Sequence, residues 1–131
     1  MQPGTLYIGL YEGDNGSAAC TGTLTKIGGG VEPGVIEVTA ATVWEALAAA
    51  LEDAHIIKPV HVIVLTNSVA VHNTLRAPAH WRPTTPGQWA ILRNLVRFQT
   101  GGGWGETTGT WQMQLVNDGD LGKARELWQQ R

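Results

Sequence analysis

The chain has 131 residues, 43% of them apolar and 15% charged, and a formal net charge of −2. That length supports one domain, residues 1–131, with a core of its own, and no apolar run approaches the ~20 residues needed to cross a bilayer. Cys20 is the single cysteine, which excludes an internal disulfide and a cysteine-based zinc site and leaves it the role of a small buried hydrophobe.

Met1-Gln2-Pro3-Gly4 lacks the basic region and apolar core of a signal peptide, so a cytoplasmic protein is expected. From Thr5 to Tyr11, Leu6, Ile8 and Leu10 alternate with Tyr7, Gly9 and Tyr11, which is the period of a strand. Gly13-Asp14-Asn15-Gly16 is a turn, and Ala18 to Lys26, rich in threonine, is a second strand. Gly28-Gly29-Gly30 and Pro33-Gly34 break the chain before a short third strand at Val35–Val38, completing an antiparallel meander. Thr39 is expected to cap a helix reaching Ala54, with Val43, Leu47, Ala50, Leu51 and Ala54 at helical spacing. A β-branched strand, Val60–Leu65, then ends in Thr66-Asn67-Ser68, and a helix follows at once to Leu75.

Pro78, Pro83 and Pro86 make residues 76–86 a loop. Gln88 to Gln99 is helical again, and Gly101-Gly102-Gly103 is a break. Thr107 to Val116 reads as a last strand with Trp111, Met113 and Leu115 on one face. Asn117 or Asp118 caps a final helix to Trp128. The order is βββ-α-β-α-α-β-α, and a right-handed strand-helix-strand connection puts the fourth strand parallel to the first.

The fourth strand with its Thr66-Asn67-Ser68 ending resembles the signature strand of the ribonuclease H superfamily, which ends in Thr-Asp-Ser with the aspartate a metal ligand. Trp89-Ala90-Ile91-Leu92 and Trp111-Gln112-Met113 are similar to the family's tryptophan-leading helix and aromatic fifth strand. The resemblance spans nearly the whole chain and implies an α/β fold. Its five-stranded mixed sheet has three antiparallel strands plus two further strands, and helices flank both faces.

The resemblance also implies a site. Family members hydrolyse phosphodiesters with two Mg²⁺ held about 3.5–4 Å apart by four carboxylates. At the first position the family reads Asp-Gly-Ser, and this chain reads Glu12-Gly13-Asp14, with Asp14 able to assist. For the second, counting back from Asn67 selects Glu45, whereas the helix face favours Thr42 and makes Glu45 a surface residue. The third position is Asn67, a neutral amide where hard cations want carboxylates. The fourth is Asp120 or Asp118, acids that a helix N-terminus favours in any case. The expected metal set is therefore Glu12 and Asp120, weakly assisted by Asp14 and Asp118.

Charge is segregated: residues 1–53 hold seven acids against Lys26, while residues 54–105 hold no acid, five cations and all four histidines. Arg76, Trp81, Arg82, Arg93 and Arg97 are the candidates for contact with a phosphate backbone, in the region that serves this purpose in the family. The reading is a divergent ribonuclease H-like domain with impaired catalysis, acting as a nucleic-acid-binding or interaction module. The alternatives are an active Mg²⁺- or Mn²⁺-dependent nuclease cleaving RNA in RNA/DNA hybrids, and a structural homodimer anchored by Trp44, Trp81 and Trp104.

Overall fold

The computed structural model describes residues 3–26, 28–57, 59–75, 81–99 and 110–130. Alternating apolar residues set up β1 (Pro3–Glu12), which a five-residue turn joins to β2 (Ala18–Lys26). The two strands are antiparallel from Pro3 opposite Lys26 to Glu12 opposite Ala18. In the turn, Gly13 N–H donates to Ser17 O at 2.9 Å and Gly16 N–H to Gly13 O at 3.1 Å.

β3 is longer than its sequence implies, running Val31–Ala40 antiparallel to β2. Pro33 and Gly34 do not interrupt it because β3 is the edge of the sheet. A proline lacking its N–H is tolerated where that side of the strand faces solvent. Gly34 takes a φ of +70° there, beside a register shift between Gly22 and Thr23. Thr39 consequently lies within the strand, opposite Ala19, and is not the helix cap.

The cap is Thr42. α1 (Val43–Ile57) begins after it, and Thr42 Oγ1 accepts from Glu45 N–H at 3.2 Å. β4 (His61–Thr66) then returns beside β1 and parallel to it, from Thr5 opposite His61 to Leu10 opposite Thr66. α2 (Val69–Leu75) and α3 (Pro86–Gln99) precede β5 (Thr110–Leu115), which is parallel to β4. Residues 107–109, expected in this strand, lie outside the described residues, as does the glycine break at 101–103. A single 3-10 turn at Asp118–Leu121 leads into α4 (Gly122–Gln130). The sheet order is β3-β2-β1-β4-β5, five mixed strands with β1 central.

Side chains alternate across this sheet and build two unequal cores. Leu6, Ile8 and Leu10 of β1, Cys20 of β2 and Val62 and Val64 of β4 pack against Val43, Leu47, Ala50 and Leu51 of α1, with Ile91 of α3. Burial pushes the Cys20 thiol well above its ordinary range, so it stays protonated as the sequence expects of a structural cysteine. On the opposite face, α4 is the one helix among the described residues, and Tyr11 is sealed there with Leu121 and Ala124. Among the described residues, no helix is long and apolar enough to cross a membrane.

Candidate functional site

Parallel pairing of β1 with β4 brings the ends of both strands to one edge of the sheet. Beyond Thr66 the alternation of the chain decides what each residue does. Thr66 and Ser68 are fully buried, and Ser68 N–H donates to Thr66 Oγ1 at 3.0 Å. Ser68 Oγ accepts from Val71 N–H at 3.3 Å and so caps α2. Asn67, between them, projects along the edge toward β1. Its Oδ1 accepts from Glu12 N–H at 2.8 Å, while its Nδ2 donates to Glu12 O at 3.1 Å. The side-chain amide thus bonds both the N–H and the C=O of Glu12, tying the end of β1 to the residue that follows β4. The second Nδ2 proton goes to Asp118 Oδ1 at 2.8 Å. A donor at Glu12 N and acceptors at Glu12 O and Asp118 admit only this orientation of the amide.

Asp118 reaches Asn67 because β5 continues past Leu115. Val116 N–H donates to Thr66 O at 2.8 Å, and the 3-10 turn starts two residues later. Asp120 takes another path. Its Oδ2 accepts from Asn117 N–H at 3.3 Å, and the residue lines a groove of about 300 Å³ on the α4 face with Tyr7, Gly9, Thr21 and Lys123. Asp14 is exposed in the β1–β2 turn. The Thr42 hydroxyl is the α1 cap, and Glu45 is exposed on the α1 surface beside Gly87, where an added Cβ would lie 3.6 Å from Glu45 Cγ. Of the acids singled out from sequence, then, Asp118 joins Asn67, and Glu12 contributes its backbone. Among the described residues, no three His, Cys, Asp or Glu side chains converge as a metal-holding group.

No protein-family model matches the sequence, and no curated protein matches it either. Solved structures do match over nearly the full length. The ribonuclease H1 of Halobacterium salinarum is 21% identical with a TM-score of 0.56, covering 97% of this chain and 94% of that one. The N-terminal ribonuclease H domain of a Mycobacterium tuberculosis protein is 17% identical with a TM-score of 0.55, covering 94% and 95%. LC11 ribonuclease H1, in complex with an RNA/DNA hybrid, is 18% identical with a TM-score of 0.53, covering 94% and 91%. The chain has a ribonuclease H-like fold.

Within that fold, Gly13 has a physical reason of its own. A Cβ on Gly13 would fall 2.2 Å from Trp128 Cζ2, so only glycine lets α4 close over the turn. Trp128 Nε1–H donates to Ser17 Oγ at 2.8 Å, and its ring meets Tyr11 edge-on with centroids 5.4 Å apart. This latch beside the strand ends was not foreseen from sequence. The apolar spacing of α4 placed Trp128 on its buried side, but no local signal links it to a turn more than a hundred residues away.

The aromatic and basic candidates are partly committed to structure. Trp81 stacks on Trp44 at 5.7 Å and 26°, half-buried against the main core, so one face of its indole is occupied. Arg93 approaches Glu52 of α1 at 4.0 Å, and the buried Asn94 donates to the same carboxylate at 3.0 Å. Arg82 is exposed, with a long 3.4 Å bond to Trp81 O. Arg76, His80 and Trp104 lie outside the described residues, as does the side chain of Arg97.

Proposed function

We propose that this ribonuclease H-like domain binds nucleic acid, an RNA/DNA hybrid or similar duplex, weakly and without cutting it. The observation that carries the reading is Asn67. Its oxygen accepts from Glu12 N–H and both amide protons are engaged, so position 67 offers no carboxylate of the kind a hard cation selects. Asp118 is the one carboxylate at the junction that an amide already bonds, and each missing carboxylate removes attraction for a dication. The donor set does not fit a two-Mg²⁺ centre. The likeness to LC11 ribonuclease H1, which holds an RNA/DNA hybrid, supports a duplex as the ligand class. A labelled hybrid should shift with the protein at low salt in Mg²⁺ and be recovered with its RNA strand intact. Loss of intact RNA, or no shift at any concentration, overturns the proposal.

One observation favours a second reading, that of a protein-interaction module. Val69 at the start of α2 and Leu115 at the end of β5 are 56% and 46% exposed, and both flank the edge that carries Asn67. Apolar side chains there suit a protein partner better than a phosphate backbone. Alanine substitution of both leaves hybrid binding intact under the first reading.

A further inference from the structure

The three hydrogen bonds of Asn67 describe an unusual point in space. Its Nδ2, carrying two partly positive protons, stands 3.1 Å from a peptide carbonyl oxygen, Glu12 O, and 2.8 Å from a carboxylate oxygen, Asp118 Oδ1. Carbonyl and carboxylate oxygens are the donors that hard cations gather. These two belong to β1 and to the 3-10 turn before α4, while Asn67 itself directly follows β4. Without a positive group between them, a carboxylate and a carbonyl would face each other with their negative ends inward.

We infer that the Asn67 amide is a built-in substitute for a cation, tying β1, β4 and the approach to α4 together with no metal. The edge is then assembled and stable whatever the divalent-cation concentration. The inference rests on the site reading above but not on nucleic-acid binding. It also makes an asymmetric demand on substitutions. An aspartate at position 67 keeps the oxygen that accepts from Glu12 N–H but turns its second oxygen toward Glu12 O and Asp118, so three oxygens converge and two of them are charged. That variant needs a cation where the wild type needs none. A leucine of similar volume removes the bonds and fills the space between the two oxygens with methyl groups, so no cation can enter to repair it.

The test is thermal melting of wild type, Asn67→Asp, Asn67→Leu and the double variant Asn67→Asp/Asp118→Asn, each in EDTA and across a Mg²⁺ titration. Wild-type Tm is expected to be the same in EDTA and in Mg²⁺. Asn67→Asp should fall by roughly 5–10 °C in EDTA, the loss of bonds to a charged group, and recover saturably with Mg²⁺. Asn67→Leu should fall without recovery, and in the double variant, which removes one of the two facing charges, the response to Mg²⁺ should disappear. Saturable stabilisation of the wild type by Mg²⁺ overturns the inference without use of any variant. So does an Asn67→Asp protein as stable in EDTA as the wild type. Hybrid cleavage by the wild type with cation-independent melting would instead sink the proposed function and leave this inference standing.

Discussion

Trp128 lies directly over Gly13, and that contact sets the tolerance of the turn next to the strand ends. A methyl group at Gly13 would overlap the indole at 2.2 Å, and the ring cannot withdraw without giving up Ser17 and Tyr11. Gly13→Ala is therefore expected to lower stability by about 1–3 kcal/mol, the range for overpacking a fixed contact. Urea unfolding followed by tryptophan fluorescence checks this, with a lower midpoint and an unchanged slope as the expected pair. The glycine invites a reading as the relic of a catalytic motif, since the family places one after its first acid. Packing against Trp128 gives it a structural reason as well.

Among the elements, the first helix shows how one residue type serves two purposes. Thr42 and Glu45 are three apart, the spacing of a helix N-cap and the residue whose N–H it receives, and the structure joins them in that way. Thr42→Ala should cost about 1 kcal/mol through the lost cap, whereas Glu45→Gln, on an exposed position, should shift the unfolding midpoint hardly at all. Parallel thermal melts separate the two, and a larger effect at Glu45 would contradict this account of the helix start. Most of the architecture was legible because period-two and helical patterns are local: β1, β2, α1, β4 and the parallel placement of β4 follow from them. The misread boundaries are those fixed by neighbours. Pro33-Gly34 reads as a break unless the strand is known to be an edge, and Thr39 reads as a cap unless its pairing with Ala19 is known. Asp118 and Asp120 are equally good acids at a helix start. They are two residues apart on a 3-10 turn, about 240° around its axis at about 120° per residue, so they leave it in different directions: Asp118 toward Asn67 and Asp120 to the α4 groove.

Across the whole molecule, the fold redistributes a charge asymmetry that the linear sequence exaggerates. The acid-free segment 54–105 carries Lys58, Arg76, Arg82, Arg93 and Arg97, but α1 from the acidic segment sets Glu52 against Arg93. With Arg93 set against Glu52, at most four cations of this segment remain to meet phosphates, so hybrid binding is expected to be weak and to lose little affinity with salt. One or two contacts would give a slope of roughly −1 to −2 in log affinity against log salt. Fluorescence anisotropy at several salt concentrations measures it, and Arg82→Ala should flatten the slope by about one contact. A slope several times steeper would mean a phosphate-binding surface larger than these residues provide.

The ribonuclease H-like fold carries a strand end bonded by the Asn67 amide, and the proposal built on it is that the protein does not hydrolyse hybrids. An end-labelled RNA/DNA hybrid incubated with excess protein in Mg²⁺ and separately in Mn²⁺, and resolved on a denaturing gel, tests it directly. The account predicts RNA products no more abundant than in buffer alone. Cation-dependent RNA cleavage by the wild type, abolished by Asp118→Asn or Asp120→Asn, would contradict it.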